Sequence, residues 1–278
     1  MSRMPPGPPP PPAVQRLRIR FAKRGRLRFT SHRDFQRAFE RALRRAAVPM
    51  AYSAGFSPHP KISYVGAAPT GTASEAEYLE MAVTERLDPA AVRADLDAAL
   101  PTGLDLLEIV EALGGSLPER IEASLWELRL PGVPTPTLAG AVSRFLAATD
   151  ITVERRLKDG RRQLDARAPV LHAGVIEDRN CAILRMVVRH VTPAVRPDDV
   201  LVGLRQVANL TPPVPPLVTR LAQGLLADGD PATDQLADPF AFDRGCPSER
   251  APAADGTLVA SDGASVEDAV GVSAATHG

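Results

Sequence analysis

Arg33, Arg37, Arg41 and Arg44 recur at spacings of four, four and three residues, which on a helix of 3.6 residues per turn brings all four guanidinium groups to one face. Like charges at that spacing repel one another, so the face calls for a counter-anion. Planar, bidentate donors in a row suit the phosphates of a nucleic-acid backbone. A competing expectation places the anion within the chain. Residues 62–122 hold 12 acidic and 3 basic residues, and that stretch can fold over the stripe and neutralise it.

A second group lies in Tyr52-Ser-Ala-Gly-Phe-Ser-Pro-His-Pro-Lys61. Pro58 and Pro60 stiffen the backbone on either side of His59, and Gly55 permits an unusual turn. An imidazole held beside Ser57, Tyr52 and Lys61 is the arrangement of a binding or acid–base site; a turn-capping histidine beside a solvated lysine is the plainer reading. His59 and Lys61 join the four arginines as candidate anion-binding residues, and His59, Tyr52 and Lys61 are the catalytic candidates. His32, at the start of the arginine helix, is a candidate neighbour of this loop. The hydroxyl residues around Gly71 fit a strand connection better than an anion cradle, and they match no phosphate-loop pattern. Glu75 and Glu77 fall on one side of a strand and can pair with arginines. His172 and His190 stand isolated and are expected to be structural. The two cysteines support neither a disulfide framework nor a four-thiolate metal centre, so neither metal nor cofactor is expected. With 4 % aromatic residues and one tryptophan, base stacking on an aromatic sheet has little support.

These side chains must be positioned by a mixed fold. Leu17–Phe21 alternates apolar and basic residues as a half-buried strand does, and Leu27-Arg28-Phe29 continues that alternation. Ser31 with Asp34 reads as the cap of a helix running to about Ala47, where Pro49 stops it. Its apolar face is Phe35, Ala38, Phe39, Ala42 and Ala46. Strands at Ile62–Val65 and Ala76–Val83, a helix at Pro89–Leu100 and a strand at Leu104–Glu111 follow. The second half varies the order. Its strands are Leu125–Leu130, Ile151–Leu157, a segment within Leu164–Ile176, and Ala182–Val188, with helices at Pro136–Ala147 and Asp198–Val207. The pattern predicts an α+β fold of two tandem ferredoxin-like (β-α-β-β-α-β) sandwiches with disordered termini.

The chain has 278 residues and a formal net charge of zero, but the charges are segregated. Residues 16–61 hold 13 basic residues and 2 acidic ones, whereas 228–278 hold 2 and 10. Prolines dominate residues 1–15, and Ala, Asp, Gly and Ser dominate 228–278, so both segments are expected to be disordered. The folded units are then 16–122 and 123–227. An acidic tail can compete with nucleic acid for the arginine face. No apolar run long enough to span a membrane and no secretory leader is read, and a cytoplasmic location is expected.

Gly25-Arg-Leu-Arg-Phe29, Ser31-His-Arg-Asp34, Arg41-Ala-Leu-Arg-Arg45, Tyr52–Ile62 and Gly71-Thr-Ala-Ser-Glu-Ala-Glu-Tyr78 together resemble the radical-SAM-linked protein family. Members of this domain family of unknown function occur beside, or fused to, cobalamin-binding-type radical SAM proteins. The resemblance is dense over about residues 16–85 and thins toward 210. It implies a bacterial accessory protein with a radical SAM partner, and RNA modification is the expected setting. The chain lacks the Cys-x-x-x-Cys-x-x-Cys motif, so such a partner supplies the radical chemistry. Three functions follow as expectations: an RNA-presenting accessory subunit, a protein-interaction module docking through its basic helix, and a metal-independent RNA-processing enzyme using His59.

Overall fold

Alternation in Gln15–Lys23 (β1) sends Leu17, Ile19 and Phe21 to one side of a sheet and Arg18 to the other. The computed structural model describes residues 10–157, 160–178, 181–226 and 235–245. The expected strand at Leu27-Arg28-Phe29 is instead a 3-10 turn, Gly25–Phe29. Gly25 takes a φ of 54°, Leu27 N–H donates to the Arg24 carbonyl at 3.0 Å, and Thr30 N–H donates to the Leu27 carbonyl at 2.9 Å. Three alternating residues fit either conformation, and these local bonds select the turn.

The first helix, α1 (His32–Arg45), begins where expected. The Ser31 hydroxyl accepts from the Asp34 N–H at 3.2 Å and donates to its carboxylate at 2.7 Å. Beyond it come β2 (Ile62–Val65), β3 (Ala73–Val83), α2 (Pro89–Ala99) and β4 (Leu104–Glu111). The second half comprises β5 (Ala123–Pro131), α3 (Thr135–Ala147), β6 (Thr152–Leu157), β7 (Gly160–Asp165), β8 (Val170–Asp178), β9 (Cys181–Arg189), α4 (Pro197–Ala208) and β10 (Leu217–Leu226). A two-residue strand, β11 (Leu236–Ala237), closes the described chain.

Among the described residues nine strands make one mostly antiparallel sheet, in the order β4-β1-β3-β10-β5-β9-β8, with β2 on β3 and β11 on β10. The halves share this sheet. They meet where β3 and β10 pair in parallel, Ala73 opposite Thr219 and Ser74 opposite Arg220. β6 and β7 form a separate hairpin; where one strand was expected within Leu164–Ile176 the structure has the end of β7 and most of β8, and residues 158–159 between β6 and β7 lie outside the described ones.

Helices cover one face of the sheet in two cores. Phe35, Phe39, Ala42 and Leu43 of α1 pack with Leu17, Ile19, Leu79 and Met81, while α3 and α4 pack on Trp126, Leu128, Leu184 and Met186. The opposite face carries a smaller cluster of Tyr78, Val110, Leu117, Ile121 and Phe240. Phe240 comes from the segment expected to be disordered. It is fully buried, edge-on to Tyr78 at 5.3 Å between ring centroids, and burial pushes the Tyr78 phenol up to about 12. Residues 235–245 are therefore part of the fold, because one aromatic and one carboxylate, Asp243, are anchored in it. Of the two segments expected to be disordered, residues 1–9, 228–234 and 246–278 lie outside the described residues, and the first is ordered at its end, where Val14 N–H donates to the Val83 carbonyl at 2.8 Å and Gln15 opens β1.

Gly224 lets β11 approach. A Cβ there would stand 1.9 Å from the Ala237 carbonyl oxygen. Gly224→Ala is expected to push β11 off β10 and to cost roughly 1–3 kcal/mol, as overpacking does. Faster hydrogen exchange at Leu225 and Leu226, which face β11 in register, together with a lower urea midpoint, checks it.

Candidate anion-binding site

Amphipathicity orients α1: once its apolar side faces the sheet, Arg33, Arg37, Arg41 and Arg44 are all exposed on the far side, with Arg45 beside them. Arg37 has one loose ion pair, 3.9 Å from Asp34 of the same helix. Arg33, Arg41 and Arg44 have no acidic partner among the described residues.

The acidic stretch 62–122 does not neutralise them. Its carboxylates meet arginines of the strands and turns. Glu75 and Asp105 take Arg24, Glu77 takes Arg220, Glu80 takes Arg18 and Arg16, Glu108 takes Arg244, and Glu111 takes Arg86. Glu75 and Glu77 pair with arginines as expected. The described part of the acidic C-terminal segment also turns elsewhere, with Asp238 on Arg244 and Asp243 on Arg18 and Arg120.

The loop containing His59 closes on itself. Ser53 N–H donates to the His59 carbonyl at 2.8 Å, and His59 N–H donates to the Ser53 hydroxyl at 3.0 Å. These bonds use the backbone of His59 and leave its ring exposed, along with Tyr52, Ser57 and Lys61. No hydrogen bond joins the side chains of Tyr52, Ser57, His59 and Lys61 to one another, so this loop presents separate groups and not an assembled acid–base constellation. His32 is not joined to it by a hydrogen bond or ring contact. Its ring packs edge-on against Tyr64 at 4.9 Å and approaches Gln36 Nε2 at 3.1 Å. Gly71 spends its N–H on the Arg28 carbonyl at 2.8 Å, as a strand connection does.

Two aromatic rings are exposed in the segments that flank α1 in sequence. Phe29, immediately before α1, is 59 % exposed with the Arg28 guanidinium 4.8 Å from its centroid, and Phe56, in the loop after α1, is 67 % exposed. Low aromatic content concealed them, because what matters for stacking is where rings are exposed.

The seam between the halves gathers residues that sequence reading did not connect. Arg220, 3 % exposed, donates from Nη1 to the Gly66 carbonyl at 2.6 Å and from Nε to the Ser74 hydroxyl at 3.3 Å, and is ion-paired through Nη2 to Glu77. Glu77 also accepts from Ala68 N–H at 3.1 Å. Lys23 is buried beside them, its Nζ 3.3 Å from the carbonyls of Ala68 and Pro69. Burial lowers its pKa, the Glu77 charge opposes that shift, and Arg220 adds to it. Their signal was the run of polar residues at core-facing positions of β3 and β10, which pattern reading takes as interruptions.

His190, expected to be structural, places Nε2 2.7 Å from the Ser124 hydroxyl. Much of the residue is open to solvent, yet its ring lies close enough to the interior for burial to lower its pKa. The Arg220 charge lowers it further, against a hydrogen bond with the Ile121 backbone. The unfolded chain therefore binds the His190 proton more tightly than the folded one. Folding stability is unaffected by this group above the ordinary histidine pKa of about 6.5 and falls as the pH drops from there toward the folded value. Urea midpoints measured between neutrality and pH 5 should fall less steeply in His190→Gln than in the parent chain.

Among the described residues no group of three or more His, Cys, Asp or Glu side chains converges on a metal-sized site, and no helix is long and apolar enough to cross a membrane. A family model described as an uncharacterized protein conserved in bacteria (DUF2344) matches residues 16–197. No curated protein matches the chain.

Proposed function

The chain belongs to the DUF2344 family of uncharacterized proteins conserved in bacteria, and from that premise we propose that it is an accessory protein that binds single-stranded RNA on the exposed face of α1 and presents it to a radical SAM partner. The observation that carries the RNA half is the exposed arginine face of α1, which among the described residues has one loose pair to Asp34, while six of the twelve carboxylates between residues 62 and 122 pair with arginines elsewhere. Arginines on one helix face grip successive phosphates, and Phe29 and Phe56 offer rings on which unpaired bases can stack. The partner half rests on the family resemblance of the motifs between residues 16 and 85.

We also read each half as a ferredoxin-like unit. The orders β4-β1-β3-β2 and β10-β5-β9-β8, antiparallel throughout, support it. On this reading α1 is the first crossover helix of its unit, free on its outer side to meet a ligand.

The test is binding of a fluorescein-labelled oligouridylate to the full chain across a salt series, with Arg33, Arg37, Arg41 and Arg44 all changed to glutamine as the comparison. Strongly salt-dependent binding lost in the variant supports the reading. Absent or salt-insensitive binding overturns it. Capture of the radical SAM protein in nuclease-treated buffer separates the alternative, an arginine face that docks a protein directly.

A further inference from the structure

The helix-covered side of the sheet opens, where the halves meet, into a cavity of about 350 Å³, within the size of small-molecule sites, roughly 300–1,000 Å³. Its floor comes from β5 and β10, and its rims are the 66–69 loop of the first half and the 190–196 loop of the second. No single half builds it.

Polar groups converge on one part of its lining: Arg220, Gln223, Ser124 and His190, with Arg196 at the N-terminus of α4. Trp126, Val188, Val195 and Pro69 supply an apolar part. Every formal charge on the lining is positive. Behind the wall, Arg220 is ion-paired with Glu77, and Lys23 beside them places Nζ on the carbonyls of Ala68 and Pro69. Arg220 has five N–H groups and uses three, on Ser74, Gly66 and Glu77. Its guanidinium lies over Trp126, 5.5 Å from the ring centroid, so cationic and apolar surfaces meet inside one cavity.

We propose that this seam cavity binds a small organic anion, its acidic head held by Arg220 and Arg196 and its planar or apolar body laid along Trp126, Val188 and Val195. The ligand sets a negative charge against Arg220 and Arg196, the two formal charges of the lining. The site is separate from the arginine face of α1, and neither needs the other. A carboxylate and a phosphate monoester share the chemistry of the head.

Trp126 is the sole tryptophan, so its fluorescence reports occupancy directly. The full chain is titrated with benzoate, phenyl phosphate and inorganic phosphate. The expected result is a saturable fluorescence change with at least one of the two organic anions, at lower concentration than with inorganic phosphate; whichever binds tighter identifies the head. Two exposed positions on the rim provide variants that spare the core. Ala194→Phe should abolish the change by filling the cavity, and Arg196→Gln should weaken binding roughly tenfold, as loss of one charge-assisted contact does. The variant lacking all four α1 arginines should bind as the parent chain does. No saturable change with either organic anion overturns the proposal. So does a response no tighter than that to inorganic phosphate, or one that survives either rim variant.

Discussion

Asp243→Ala is expected to lower the unfolding free energy of the full chain by about 3–5 kcal/mol, the cost of removing one partner from a buried ion pair. The Asp243 side chain is completely buried, and its two oxygens accept from Arg18 Nη1 at 2.9 and 2.7 Å, from Arg120 Nη1 at 2.8 Å, and from Leu113 N–H at 3.0 Å. Arg18 is 1 % exposed and sits on the first strand, 225 residues away. Without Asp243 it keeps Glu80 at 2.9 Å and the carbonyls of Gly114 and Gly115 at 3.0 and 2.6 Å. Those contacts hold the guanidinium in place but answer its charge with one partly exposed carboxylate. Phe240 sits on the same segment, so a chain ending before residue 235 should lose the ion pair and the aromatic anchor together and be less stable than the point variant. Urea denaturation of the three proteins checks both statements. A change below 1 kcal/mol in Asp243→Ala would mean that the segment contributes little.

Loss of RNA binding in the four-arginine variant is the second large effect, and its signature is the salt slope. If Z phosphates of a single strand are contacted, the logarithm of the affinity falls with the logarithm of salt with a slope of about −0.7Z. Four contacts therefore cost the parent chain roughly fifty-fold in affinity between 50 and 200 mM salt. Removing them should flatten the slope by about 3 and weaken binding at low salt by roughly a hundredfold or more. All four side chains are exposed, so the unfolding free energy should stay within about 0.5 kcal/mol of the parent's. A single substitution should flatten the slope by about 0.7 to 1. That graded response distinguishes a row of phosphate contacts from one dominant residue.

α1 was readable because its signals are local. A cap at Ser31, an apolar repeat and a proline beyond the end specify a helix and its orientation within a few turns of chain. Leu27–Phe29 was misread for the complementary reason: three residues carry too little period to separate a strand from a 3-10 turn. β10 escaped notice because its register shifts between Arg220 and Ala222, and because Arg220 and Gln223 occupy core-facing positions. The 235–245 segment was hidden by averaging. The composition of 228–278 as a whole is that of a solvated tail, while a few residues attach 235–245: Leu236 and Ala237 in β11, Phe240 and Asp243 in the interior, and Arg244 on Glu108. The loop of His59 closes through Ser53, as a turn does, but its side chains are not joined to one another.

Zero net charge resolves in the same way. Which residues are charged, and that four arginines share one helix face, follow from the order of residues, because helical geometry relates neighbours three and four apart. Which carboxylate meets which arginine follows from strand order and register. Glu77 finds Arg220 from 143 residues away, and Ser124 finds His190 from 66, at distances where chain order carries no geometric information. Once the sheet assembles, nearby acids go to the arginines of strands and turns. The face of α1, turned outward by its own apolar stripe, is left with charge to offer.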